Sequence, residues 1–129
     1  MRRAYGLTFV ELVVIVIFVA FTTLILLYQR ENITASQRDN DRKTAINAMY
    51  YNLEEVFYKN KKYYPESLNS DLLRAMDPAL LTDPQGVMVG EPDSDYRYDG
   101  IDCLNNRCKS YKLLARLDKE ADYIKTSRN

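Results

Sequence analysis

Gly6-Leu7-Thr8-Phe9-Val10-Glu11 opens a stretch, residues 7–28, in which Glu11 is the single charge. At about 1.5 Å rise per residue, a helix of 22 residues reaches about 33 Å, enough to cross a hydrocarbon core about 30 Å thick. A short cationic peptide, Met1-Arg2-Arg3-Ala4-Tyr5-Gly6, precedes it. One reading is a secretory signal, which has an apolar region of about 7–15 residues and then a small-x-small cleavage site. The apolar run 12–27 is longer than that, and Ala20 has no small partner two residues away. A plain membrane anchor is a second reading. It leaves Glu11 as an unexplained cost, about 2.5–3.5 kcal/mol at a helix centre and less near an end.

A third reading uses every residue of the stretch. Gly6-Leu7-Thr8-Phe9-Val10-Glu11-Leu12 resembles the prepilin cleavage motif of type IV pilins and type II secretion pseudopilins. The resemblance implies that a membrane-bound prepilin peptidase cuts after Gly6, removing residues 1–6 as a leader, and N-methylates Leu7. The usual first mature residue in that family is phenylalanine, so Leu7 is a departure. The resemblance also gives Glu11 a role in subunit assembly, pairing with the Leu7 amino group of a neighbouring subunit. Two unit charges about 4 Å apart interact by about 4 kcal/mol at an effective dielectric near 20. An unpaired buried carboxylate is costly, so such a pair selects one register over others.

With 129 residues the chain has room for one modest domain beyond the apolar stretch. It carries 18 basic and 18 acidic residues; without Arg2 and Arg3 the basic count is 16, a balance of −2. Nothing in that balance favours nucleic acid. Orientation by positive charge is ambiguous, because Arg30, Arg38, Arg42 and Lys43 follow the apolar stretch. The resemblance places the leader in the cytoplasm and the mature subunit first in the cytoplasmic membrane, then in a surface pilus.

From Gln29 to Asn60 there is no proline or glycine, so nothing forces the helix to stop. Ile46, Met49, Leu53, Val56 and Phe57 follow helical spacing and define a buried stripe, with Ala45 and Ala48 beside it. Asn47, Asn52, Glu54, Glu55 and Lys59 are expected to face water. One helix over residues 7–60 would run about 81 Å. The charged section 30–43 reads as a solvated part of that helix or as charges matched to neighbouring subunits.

Lys59-Asn60-Lys61-Lys62 places cations at the helix end. Tyr63-Tyr64-Pro65 follows, and a short helix over 70–76 is expected from Leu72, Leu73 and Met76. Tyr50, Tyr51, Tyr58, Tyr63 and Tyr64 crowd this junction. Such aromatics can stack bases, but their ordinary role is to pack a helix on a sheet. A Tyr-Pro pair closing the long helix also resembles the family. Asp83-Pro84-Gln85-Gly86 is turn chemistry and resembles the Asp-Pro-x-Gly turn of pseudopilins. Strands are expected at 87–89, 96–98 and 111–117, the last two forming a hairpin joined through 99–110. The charged end, 118–129, gives no clear pattern.

Cys103 and Cys108, with no histidine anywhere, exclude ordinary zinc ligation from one chain. Outside the cytoplasm the pair is expected to form a disulfide pinning the hairpin connection. Glu91, Asp93, Asp95, Asp99 and Asp102 form an acidic loop. Some pseudopilins bind calcium in such a loop, which makes Asp93, Asp95, Asp99 and Asp102 the candidate ligands; the spacing is not that of an EF-hand, and a solvated acidic turn is the ordinary reading. No nucleophile motif, phosphate loop or histidine supports an enzyme, and no cofactor is implied.

The expected fold is α+β and type IV pilin-like: a leader (1–6), a long N-terminal helix (7–60, its 7–28 part transmembrane or filament core), and a head (61–129) with a short helix and a small antiparallel sheet. The expected partners are copies of itself or related pilins in a filament, the prepilin peptidase and a membrane assembly platform. A pseudopilin of a type II secretion system is the alternative. A membrane-anchored binding protein that never polymerises is a third.

Overall fold

The computed structural model describes residues 8–128. The expected leader (1–6), the expected cleavage position between Gly6 and Leu7, and the expected methylation of Leu7 fall outside the described residues. The described residues fall into two compact units that divide between Thr34 and Ala35.

Helix α1 spans Phe9–Tyr51. The absence of proline and glycine over this range explains its unbroken hydrogen-bond ladder. Its first unit is one apolar surface: Phe9, Phe18, Leu24 and Leu27 are all exposed, and none of its most apolar window is buried. Two hydroxyls inside the apolar run are satisfied locally, as lipid would require. Thr22 and Thr23 donate to the carbonyls of Phe18 and Val19, one turn back. The helix is long and apolar enough to cross a membrane.

In the second unit, α1 becomes amphipathic and buries Ala45, Ile46 and Met49. The turn then widens into a π-helical segment, Asn52–Tyr58, before a last α turn, α2 (Lys59–Lys61). One extra residue per turn puts Asn52, Leu53 and Glu54 on the buried side consecutively. That corrects the expectation that Asn52 and Glu54 face water, and it leaves Val56 only half-buried while Phe57 is buried. Lys62 ends the helix in the left-handed region (φ 63°), its N–H donating to the Tyr58 carbonyl at 2.8 Å.

The sheet has four strands, all antiparallel. Strand β1 (Tyr64–Pro65) follows the helix; β2 (Tyr96–Leu104) and β3 (Arg107–Ala115) form a hairpin; β4 (Tyr123–Thr126) closes the described chain. β3 is central, with β2 on one side and β1 and β4 sharing the other. Register pairs Tyr96 with Ala115 and Leu104 with Arg107, leaving a two-residue turn, Asn105-Asn106. Both asparagines have positive φ (52° and 61°), the twist-matched geometry of a tight hairpin turn. The hairpin is therefore longer and its connection shorter than the sequence suggests. The expected alternation on β3 holds: Tyr111, Leu113 and Ala115 are buried. They meet Ile46, Met49, Leu53, Tyr64, Leu73 and Leu81 in one core.

Two expected elements do not form. Residues 70–76 form turns and bends instead of a helix, although the Asn69 side chain accepts from the Leu72 N–H (2.9 Å) as a helix cap would. A short 3-10 helix, Pro78–Leu81, appears instead, capped by Asp77. Residues 87–89 contribute a single bridge, Thr82 to Met88, and not a strand.

Candidate functional site

Glu11 begins the apolar helix, and locally its role is a cap. The Thr8 N–H donates to Glu11 Oε2 (3.4 Å) and the Glu11 N–H donates to Thr8 Oγ1 (3.3 Å), the reciprocal pattern of a capping box. The signal was in the sequence, Thr8-Phe9-Val10-Glu11, but the apolar context drew the reading elsewhere. The cap offsets part of the cost of a carboxylate there, since a helix N-terminus favours negative charge.

Charges in the 30–43 section are not all solvated. Arg42 is buried and faces three carboxylates. Its Nη1 lies 2.9 Å from Asp39 and 3.1 Å from Asp118, and its Nη2 lies 2.7 Å from Asp95. Arg38 also reaches Asp118 (2.9 Å), and Lys43 reaches Glu120 (2.6 Å). The sequence separations are wide, so these pairs tie the helix to the loops on either side of the hairpin. Burial alone would raise the Asp39 carboxyl, but N–H donors from Asp118 and Lys119, with Arg42 beside them, hold it below its ordinary value. Asp118 is lowered by Arg38 first and then by Arg42.

Asp95 is thus spent on Arg42 and on Gln85 Nε2 (3.1 Å). Among the described residues, no three of the acidic or cysteine side chains gather to hold a metal ion. Of the calcium candidates Asp93, Asp95, Asp99 and Asp102, Asp95 turns inward to a cation, and Asp99 and Asp102 lie on β2. Asp83, in the Asp-Pro-Gln-Gly turn, is likewise structural. Its carboxylate accepts the N–H groups of Gln85, Val87 and Asp95, each at 2.9 Å. Burial opposes its charge, and those donors hold it below the ordinary value all the same.

Cys103 and Cys108 form the expected disulfide, directly opposite each other across the hairpin. Gly100 makes room for it: a Cβ there would come within 2.6 Å of Cys108 Sγ and 2.9 Å of Cys103 Sγ. Equal cysteine distances from Asn105-Asn106 were the sequence signal for that tight turn, and the longer loop expected earlier overlooked it.

Several of the tyrosines pack against one another between helix and sheet, while Tyr51 is exposed. Tyr64 and Tyr111 are fully buried, edge to face at 4.7 Å, with Tyr58 stacked on Tyr64 and Tyr98 on Tyr111. Burial pushes the Tyr96 hydroxyl up to about 12, and Asp83 adds to it. Sequence reasoning missed the acceptor at their centre. Glu54, buried, accepts from the hydroxyls of Tyr111 (2.9 Å) and Tyr64 (3.1 Å) and from the N–H of Arg128 (3.2 Å). Burial first, and Glu54 second, push Tyr111 far above the ordinary tyrosine value.

No protein family, curated protein or solved structure matches the chain. The architecture alone, a long apolar-then-amphipathic N-terminal helix with a small antiparallel sheet, is compatible with a pilin-like protein.

Proposed function

We propose that this chain is a type IV pilin-like structural subunit of a helical surface filament, released from its leader by cleavage after Gly6 and N-methylated on Leu7. The observation that carries the reading is the apolar surface of α1 up to Tyr28, exposed throughout and opened by one carboxylate. A surface of that size needs lipid or copies of itself around it. Lipid tails are as apolar as these side chains, so leaving the bilayer for a filament core is nearly neutral in hydrophobic terms. Selection of a register then falls to Glu11, paired with the Leu7 amino group of a neighbour. The precursor sits in the cytoplasmic membrane with its N-terminus inside, the prepilin peptidase and an assembly platform are its partners, and the assembled filament serves adhesion, twitching motility or DNA uptake. The head is a structural module and not an enzyme.

A pseudopilin of a type II secretion system is the second reading, favoured by the Asp83-centred turn and by the small head. Mass spectrometry of the protein from its native membrane tests both. A mature chain starting at a methylated Leu7 is expected, with sheared surface filaments containing it. A chain still starting at Met1 in the presence of an active prepilin peptidase overturns the proposal. Glu11→Val should leave cleavage intact and abolish filaments; filaments of normal abundance would remove the role given to Glu11.

A further inference from the structure

A seven-residue π segment near the end of a core helix is unusual, since its wide turn packs less well than an α turn and persists only where neighbours impose it. Beside Tyr64 and Tyr111, which bond Glu54 from the sheet, the neighbours here come from the residues after β4. The Arg128 N–H donates to Glu54 Oε1, its Nη1 lies 2.7 Å from Glu55, and its Nε donates to Tyr50 Oη at 3.0 Å. The Ser127 N–H donates to the Tyr111 carbonyl at 3.1 Å, which fixes the approach. One short segment thus grips the end of α1 and the first turn of the wide stretch.

The arrangement carries a cost. Asn52 is 1 % exposed and both polar atoms of its carboxamide lack a hydrogen-bond partner. It also leaves an alternative in reserve. Ordinary α spacing from Ile46, Met49 and Leu53 would turn Val56 inward and Glu54 outward. In the structure Val56 is half-exposed while Glu54 is buried.

We infer that Ser127 and Arg128 are a latch: they hold residues 52–58 in the wide-turn register, and their release lets that stretch return to an α-helix with Glu54 at the surface. Glu54 is the positioning residue through which the latch acts. Release withdraws the carboxylate from Tyr64 and Tyr111 and changes which side chains the end of the long helix shows to its surroundings.

The test compares the full chain with Arg128→Pro, which removes both the N–H donor and the side chain, and with Arg128→Ala, which keeps the N–H. Residue-resolved amide exchange and 13Cα shifts report the helix register, and ultraviolet titration reports the tyrosine hydroxyls. In Arg128→Pro, exchange over 52–58 is expected to quicken by about tenfold, the equivalent of one or two net hydrogen bonds. Protection on β2 and β3 stays as it was, and Tyr111 titrates at a lower pH than in the unaltered chain. Arg128→Ala should move the same residues by less, and it decides the matter if the proline variant does not fold. Unchanged exchange and shifts over 52–58 overturn the latch. So does an even loss of protection across the sheet, because the segment would then hold the whole head and not the register.

Discussion

Two carboxylates on the same helical run live in opposite surroundings. Glu11 stands among exposed apolar side chains and, among the described residues, bonds within its own capping turn, whereas Glu54 is buried among two tyrosines and a backbone donor brought from far along the chain. The same contrast divides the two units. In the first, the side-chain bonds of Thr8, Glu11, Thr22 and Thr23 stay within neighbouring turns, and the apolar surface around them is exposed. The second satisfies nearly every buried charge from within itself. One sequence has therefore assigned its polar residues to inside or outside partners according to unit, and variants in the two should affect different measurements.

The largest effect is expected from Arg42→Met. It strands Asp39, Asp95 and Asp118 around a site that has lost its cation, and loss of one partner from a buried pair costs about 3–5 kcal/mol. Urea denaturation of the variant should show it, and an unchanged midpoint would mean the head does not depend on its internal charges. Phe18→Arg is the mirror case. It should cost about 2.5–3.5 kcal/mol in membrane insertion, read by glycosylation mapping, and leave the urea midpoint of the head where it was. A shift in head stability would break the separation of the units.

Replacing both Cys103 and Cys108 by serine should cost about 2 kcal/mol, the chain-entropy value for so short a loop. Thermal melting under non-reducing conditions measures it. The smallest effect is that of acid. Asp39, Asp83 and Asp118 sit below their unfolded value of 3.8, so the unfolded chain binds more protons near that pH. Their contribution is complete above pH 3.8 and is lost as pH falls through the lowered folded values. The melting temperature should fall only in that acid window, and a decline beginning at neutral pH would point to other groups.

Hydrophobic pattern made the long helix, the buried face of Tyr111, Leu113 and Ala115, and the disulfide partners legible in the sequence. What it hid depended on contacts between distant residues. Asp39 and Arg42 look like solvated helix charges until Asp95 and Asp118 arrive from 53 or more positions away. Glu54 looks exposed because its inward turn requires a widened helix, and simple 3.6-residue spacing cannot express that. Residues 70–76 have the apolar spacing of a helix turn and a capping Asn69, but so short a run does not repay the cost of helix nucleation. The inward turns of Glu54 and of Asp95 follow from the same cause, since polar side chains choose partners that only the tertiary fold supplies.

Strand β2 has β3 on one side and, among the described residues, no strand on the other. A bare edge of nine residues invites a second chain to add itself there. Asp102 breaks the invitation. Its φ of 53° interrupts the extended backbone in mid-strand, and Asp99 adds a second negative charge along the same border. An incoming strand would meet a bend where it needs a straight row of donors and acceptors, and would bring its own desolvation cost to two carboxylates. A second copy of this head is thus discouraged from extending the sheet along that edge.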